Sequence, residues 1–442
     1  MQILNWQQLD AAERHSALAR PLRSTDAAVV AQVQAIAAEV RRDGDAALRR
    51  YSAAFDGVVP ESFCVSPEEF AFARNELQPA SLRALDVAIA NVETFHRAQY
   101  PHDIDLETQP GVRCERRWRP IQSVGLYVPA GSAPLPSTAI MLAVPARIAC
   151  CPQRVLCTPP RRDGRADSAV LVAAQRCGTT QIFKVGGAQA IAAMAYGTES
   201  IPKVAKICGP GNRWVTTAKQ LVAADPQGVA LDMPAGPSEV CIIADESADA
   251  DFVAADLLAQ AEHDPDSHAV LLTASMALAR RVEAQIAARM PALSRQEVLH
   301  QSLKAARLIV APDLDTVIGL AEQYAPEHLL IQTVNPRAVL ASITTAGSVF
   351  LGRWSPEPMG DYCSGTNHVL PTYGHARAYS GLSVGDFMRG MTVQELSPEG
   401  LRDLGPVAIE LAQLEGLDAH AAAVNARLAM LTDLAERPAG GA

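Results

Sequence analysis

Short apolar runs alternate with longer segments of helical period from Gln122 onward. QSVGLYV, RVLCT, QIFKV and VAKIC each lead through a loop into a helical stretch. Parallel strands need a long crossover, and a helix makes that crossover compactly. The pattern therefore predicts a parallel sheet covered by helices. A second series begins after GVALDMPAGPS. It runs EVCIIA, a helix over 250–261, HAVLLT, a helix from 275, RLIVA, a helix over 313–325, HLLIQ, a helix over 336–342 and SVFLG. The two series share texture and not letters. They imply an α/β protein with two Rossmann-like parallel-sheet domains. These are incomplete, because the G-x-G-x-x-G fingerprint is absent. Ser137 or Thr138 is a candidate N-cap for the helix of the first series.

The flanks read differently. Residues 1–24 are amphipathic and helix-forming, and 26–95 carry largely helical spacing broken at Asp43-Gly44 and Asp56-Gly57. From Leu382 the pattern is helical again, with Gly416 and Asp418 punctuating two helices, and the final RPAGGA reads as disordered. These features divide the chain into a helical segment 1–25, a first α/β domain of 26–127 with 239–382, a second of 128–238, and a helical tail 383–442. The tail has too few apolar residues for a core, so it is expected to pack elsewhere, on a partner subunit. With 49% hydrophobic residues in 442, large cores are affordable. A net charge of −10 with interspersed signs argues against nucleic acid. The polar N-terminus and the lack of an apolar run of about 18 residues argue against a signal peptide or membrane span, and so for a soluble cytoplasmic protein. Nine scattered cysteines without C-x-x-C spacing read as small hydrophobes of a reducing compartment. Cys151 and Cys363 are the candidates for a rival nucleophile role.

Several motifs carry chemistry. KVGGAQA and CGPGNRW each follow a strand and open a helix, presenting backbone N–H groups to an anion. In LLAQAEHDPDSHAV, Gln260 and His263 share a helix face. Ser355–Phe387 is a long stretch dense in Gly, Pro, Ser, His and Asp, in which Asp361 and His368 suit ligand or metal contact. Glu415 and His420 lie at a helix start in LEGLDAHAAAVNAR. Glu327 and His328, in EQYAPEHLLI, sit after Pro326 on the bend between a helix and a strand. On a regular strand neighbours face opposite ways, so both serve one site only if the chain bends there. Mixed N/O ligands, a base and a nucleotide bed together suit a dehydrogenase acting on an alcohol, with an open zinc or manganese site.

GLYVPAGSAPLPST, KVGGAQAI, GPGN, DMPAGPSEV, QAEHDP, APEHL, GDYCSGTNHVLPTYGHARAYSGLSVGDF and EGLDAHAAAVNAR occur in order from 125 to 427. Together they resemble the successive motifs of the histidinol dehydrogenase family. That resemblance implies oxidation of L-histidinol to L-histidine by two NAD+ through a held aldehyde, the last step of histidine biosynthesis. It implies one Zn2+ per subunit on Gln260, His263, Asp361 and His420. His328 would be the general base, and Glu327 would activate the water that hydrates the aldehyde. An imidazole titrating near its ordinary value of about 6.5 would suit repeated proton transfer. Tyr127, Gln189 and Asn212 match NAD contacts. Ser238, Gln260, His263, His328, Asp361, His368, Glu415 and His420 match the substrate site. The family is a homodimer whose tail reaches the other subunit. The domain of 26–127 and 239–382 would then carry metal and catalysis, and 128–238 would bind NAD.

Thr366 and Gly381 depart from the family, which more often has Pro at both places; the departures touch loop shape and not ligands. Competing readings are a zinc- and NAD-dependent dehydrogenase of another small alcohol such as a sulfonated diol, a zinc hydrolase using Glu327, and an inactive binding protein. PAGPSE and the Glu415–His420 tail favour histidinol.

Overall fold

Residues 1–20, 27–130, 133–234 and 236–436 are described by the computed structural model. The strands in chain order are β1 (Gln2–Asn5), β2 (Ile104–Gln109), β3 (Val112–Pro120), β4 (Ser123–Tyr127), β5 (Gln153–Thr158), β6 (Gln181–Lys184) and β7 (Lys206–Cys208). They continue with β8 (Ala230–Leu231), β9 (Glu239–Ala244), β10 (His268–Thr273), β11 (Arg307–Val310), β12 (His328–Gln332), β13 (Ser348–Leu351) and β14 (Met388–Leu396). A five-stranded sheet has the order β6-β5-β4-β7-β8, and a six-stranded sheet the order β1-β11-β10-β9-β12-β13. Every pairing in both is parallel. The two Rossmann-like sheets expected from the alternation are thus present.

EVCIIA, HAVLLT and HLLIQ are buried at every position. Helices on both faces of the sheet explain why these strands are almost continuously apolar instead of alternating. Val240, Ile242, Leu271, Leu308 and Leu330 form the core on one face. Their neighbours Cys241, Ile243, Val270, Leu272, Ile309, Leu329 and Ile331 form the core on the other. That division is the period-two alternation of a strand. The helices of the second series fall at Ala250–Ala261, Met276–Arg289, Leu314–Tyr324 and Pro336–Leu340, close to the expected spans. None of the described helices is long and apolar enough to cross a membrane.

Several expectations are corrected. Residues 2–5 are not helical: they extend the six-stranded sheet by pairing with β11. After a 3-10 turn over Trp6–Gln8, the first α-helix starts at Ala11, where Asp10 and Glu13 make a reciprocal cap. The helices Ala27–Asp43 and Asp45–Tyr51, grouped above with 239–382, pack instead on the five-stranded sheet. Val29, Val33, Ile36, Val40 and Leu48 share a core with Phe183, Val185, Ile191 and Val215. Pro67–Glu76 and Pro79–Arg97 likewise pack on the helices Ser168–Arg176 and Pro136–Ile148. β4, placed at the end of the first domain by the sequence, is the central strand of the five-stranded sheet. The helix after β4 begins at Pro136 with Leu135 at its N-cap, so Ser137 and Thr138 lie inside its first turn.

Pro101–Pro120 and Met388–Ala442 form a separate compact unit. In it β14 pairs antiparallel with β3, and β3 with β2. The tail is therefore not helical from its start: MRGMTVQEL is a strand, which the open edge of the β2–β3 hairpin recruits. The helices Pro398–Leu414 and Asp418–Glu436 follow, separated at Gly416 as expected. The final RPAGGA lies outside the described residues.

Leu48 is fully buried in the core beneath the five-stranded sheet. Leu48→Ala should lower unfolding stability by about 2–5 kcal/mol. Val334→Ala, at a position 80% exposed, should stay within about 0.5 kcal/mol. Denaturant midpoints of the two variants check this.

Candidate active site and metal centre

The helix Leu314–Tyr324 ends in Ala325, whose φ of +51° puts a non-glycine residue in the left-handed region. Pro326 and Glu327 make the bend, and His328 opens β12. The bend is tied to the next strand: Gly347 N–H donates to the Pro326 carbonyl at 2.9 Å, and Ser348 N–H to that of Glu327 at 2.8 Å. A Cβ at Gly347 would stand 2.6 Å from the Glu327 carbonyl oxygen, so this close approach needs glycine. The bend does bring the neighbours to one place, with Glu327 Oε2 and His328 Nδ1 3.8 Å apart.

One residue holds both. The N–H of Glu239, the first residue of β9, donates to Glu327 Oε2 at 2.9 Å. Its carbonyl lies 3.2 Å from His328 Nδ1, which is also 3.2 Å from Gln260 Oε1. Both partners are acceptors, so Nδ1 carries the proton and Nε2 the lone pair. His328 Nε2 is buried without a hydrogen-bond partner and lies 3.7 Å from Asp361 Oδ1. Burial pushes the His328 imidazole down to about 4, with Asp361 opposing. The ordinary value of about 6.5 expected above does not hold, and the ring is neutral at pH 7. Burial raises the Glu327 carboxyl well above its usual range, and the nearby Glu239 and Asp361 carboxylates add to this.

Gln260 is in the last turn of Ala250–Ala261, and its amide nitrogen lies 3.2 Å from His263 Nδ1. Opposite them, a short helix, Glu357–Tyr362, interrupts the long loop expected over 355–387. It presents Glu357 and Asp361, four apart and so on one face. Ligand atoms of His263, Glu357 and Asp361 lie within 4.8 Å of one another. Both Glu357 oxygens are buried with no donor. Burial raises the Glu357 carboxyl far above its usual range, helped by Asp361. For Asp361 burial acts upward, but the neighbouring His328, His368 and His263 and the Glu357 carboxyl outweigh it and hold the group below its usual range. Buried acceptors without donors, grouped with an imidazole, are the donor set a divalent cation requires.

Tyr127, Gln189 and Asn212 gather on the five-stranded sheet. Tyr127 ends β4, and its hydroxyl accepts the Gly187 N–H at 3.0 Å. Gln189 is buried in the helix Gly187–Tyr196, and its Oε1 has no partner. Asn212 caps Arg213–Ala224 through the N–H groups of Trp214 and Val215. A Cβ on Gly209, at φ +129°, would fall 2.2 Å from the Tyr127 carbonyl oxygen, so the GPGN turn presses on the end of β4. Strand order reverses between β4 and β7, and a cavity of about 280 Å³ opens nearby, after β7 and β8, lined by Gly209, Gly211, Lys219 and Leu231. Ligands settle at such switch points.

Ser238 leads into β9, and its carbonyl accepts from His268 N–H at 3.1 Å. The His368 ring lies 2.8 Å from the Asp361 carbonyl through Nδ1 and 3.2 Å from Thr138 Oγ1 through Nε2. The helix after β4 thus touches the Asp361 loop. The structure brings together Glu327, His328, Gln260, His263, Asp361 and His368. Glu415 and His420 are exposed and belong to the unit of 101–120 and 388–442. Glu415 is the C-cap of one helix and not at a helix start, whereas His420 is in the first turn of the next. Cys151 is buried, with its thiol pushed up to about 11 by burial, so it is no nucleophile.

Glu357, Glu239 and Asp256 were not singled out in the sequence. E-x-x-x-D in EPMGD was a readable signal for the first, at helical spacing. Asp256 lies one turn before Gln260, is 5% exposed and accepts from Gln332 Nε2 at 2.9 Å.

A family model described as histidinol dehydrogenase matches residues 19–428. A histidinol dehydrogenase of Xanthomonas axonopodis pv. citri is 54% identical over 428 residues, covering 97% of this chain and 99% of the relative. One of Vibrio vulnificus is 51% identical over 432 residues, covering 98% and 99%. The crystal structure of histidinol dehydrogenase from Elizabethkingia anophelis superposes with a TM-score of 0.93 at 41% identity, covering 98% of this chain and 99% of that one.

Burial raises the Asp256 carboxyl to about 7. An acid held up in the folded state opposes folding once it must ionise, so stability falls as pH rises from about 4 to about 7. Asp256→Asn should match the wild type near pH 4 and exceed it at pH 8 by up to about 4 kcal/mol. Unfolding curves at the two pH values check this.

Proposed function

The chain belongs to the histidinol dehydrogenase family, and we propose that it oxidises L-histidinol to L-histidine by way of the aldehyde, in histidine biosynthesis. The observation that carries the chemistry is the buried pair Glu327 and His328, joined through Glu239 and facing the His263–Glu357–Asp361 cluster.

In this reading the six-stranded sheet carries catalysis and metal, and the five-stranded sheet binds NAD+ through Tyr127, Gln189 and Asn212. Gln260, His263 and Asp361 hold Zn2+, with His420 as the fourth protein ligand. The unpartnered oxygens of Glu357 support a cation at this place. A cation held there would supply a positive charge that orients the substrate, and NAD+ held on the five-stranded sheet would supply the hydride acceptor. Ser238, His368 and Glu415 complete the substrate contacts. Glu415 and His420 are exposed, and few of the described residues of their unit are buried, which supports their delivery to the site of a second subunit in a homodimer. A cytoplasmic location fits a biosynthetic enzyme.

The chain's own groups move the protons. His328 is neutral and already has its lone pair on Nε2, so it takes the alcohol proton there as hydride leaves the carbinol carbon. Its Nδ1–H stays fixed on the Glu239 carbonyl, which keeps the ring oriented during transfer. Glu327, anchored by Oε2 to the Glu239 N–H, keeps its other oxygen for the water that adds to the aldehyde. The hydrated aldehyde is again an alcohol, so His328, once it has released the first proton to solvent, serves the second oxidation.

With limiting L-histidinol and excess NAD+, two NADH should form per substrate, and a chelator should abolish both. One NADH per substrate would remove the water-activating role from Glu327, and none would refute the function. Glu327→Gln should slow oxidation of the aldehyde by roughly 10²–10⁴-fold while sparing its reduction to the alcohol, whereas His328→Ala should impair both by a similar factor. Steady-state rates in the two directions separate these outcomes.

A further inference from the structure

We propose that Arg20 is a positioning residue that sets the Glu327–His328 pair through two separate attachments. Its guanidinium donates to both oxygens of the Glu239 carboxylate, Nε to Oε2 at 2.5 Å and Nη2 to Oε1 at 2.7 Å. The pair is deeply buried, with side-chain exposures of 12% and 1%. The same Nη2 donates to the carbonyls of Tyr324 at 2.7 Å and Ala325 at 3.3 Å. These are end carbonyls of the helix that leads into the bend, where a cation is favoured. The guanidinium also lies over the Tyr324 ring, 3.9 Å from its centroid. The Tyr324 hydroxyl donates back to Glu239 Oε2 at 3.2 Å.

The two attachments converge. Glu239 offers its N–H to Glu327 and its carbonyl to His328, so the carboxylate Arg20 grips belongs to the residue that aims both groups. Ala325 begins the bend that carries both groups, and its left-handed conformation must be held by its surroundings. A single planar fork therefore fixes the strand end on one side and the helix end on the other. Lysine offers a point charge and cannot span both. Arg20 itself touches neither Glu327 nor His328 in any hydrogen bond described, so its effect is on geometry.

The inference rests on Glu327 and His328 being the catalytic pair. The test uses the full chain loaded with zinc, comparing wild type with Arg20→Lys for zinc content, KM for NAD+ and kcat with histidinol and with histidinal. A displacement of about 1 Å in a reacting group costs about 10²-fold. The expected result is a fall of that order in kcat for both oxidations, with KM and zinc content within about twofold. A kcat within about twofold of wild type overturns the inference alone. A wild type that makes no NADH from histidinol overturns the catalytic reading and this inference with it. If Arg20→Lys fails to fold, Tyr324→Phe decides, since it leaves Arg20 in place and removes the hydroxyl's contacts with Glu239 Oε2 and His268 Nδ1. About a tenfold loss of kcat at unchanged KM, roughly one hydrogen bond's worth, supports the inference, and wild-type kcat overturns it.

Discussion

The peptide groups of Glu239 carry the candidate site. An acid and an imidazole, both nearly inaccessible to water, sit side by side, and each needs a partner that water cannot supply. The N–H of Glu239 serves one and its carbonyl the other. Backbone groups make this dependable because β9 is an interior strand, laddered to β10 on one side and β12 on the other. Side chains can change rotamer, but a peptide held in two ladders cannot turn. The same enclosure sets the proton affinities: burial lowers that of the imidazole and raises that of the carboxyl.

The two sheets use opposite edges. The glycine turns, Tyr127 and Asn212 lie at the carboxyl ends of β4, β6 and β7, where open α/β sheets usually bind ligands. Glu239 and His328 instead open β9 and β12, so the candidate acid–imidazole pair is at the amino ends. Gln260 reaches this edge because the helix Ala250–Ala261 returns antiparallel to β9. Thr138, at the start of the helix after β4, contacts His368. That contact joins the helix after β4 to the segment that carries Asp361.

Much of this was legible in the sequence because it rests on local pattern. Apolar strands alternating with helical segments located both sheets, and Pro326 marked the bend at Glu327. Glycine turns located the helix starts around Asn212 and Gly187, whereas the cap read at Ser137 or Thr138 fell inside the first turn of its helix. The illegible parts depend on long-range pairing or burial. Nothing near Gln2 announces that β11 will accept it as an edge strand, and nothing in MRGMTVQEL announces the hairpin edge at β3. The low proton affinity of His328 comes from walls supplied by distant segments, so its surroundings had to be seen. Glu357 was hidden because an acid in a Pro-rich loop looks solvated until the loop proves to contain a helical turn. Which helices cover which sheet, as with Ala27–Asp43, is likewise decided by packing and not by order along the chain.

The edge strand β1 bears on how the chain reaches this state. Its partner β11 lies about 300 residues further along. During vectorial synthesis the Gln2–Asn5 segment therefore emerges long before anything exists for it to pair with. The sheet must close over one of the longest loops the chain can make, which is slow. Arg20 shares this delay, because Glu239 and Tyr324 are also late arrivals. A nascent chain with its five-stranded sheet complete would still lack both its outer strand and the contacts that hold the Glu327–His328 bend. Such a chain would carry an unpaired apolar segment, the species on which a chaperone acts and the one most exposed to misassembly.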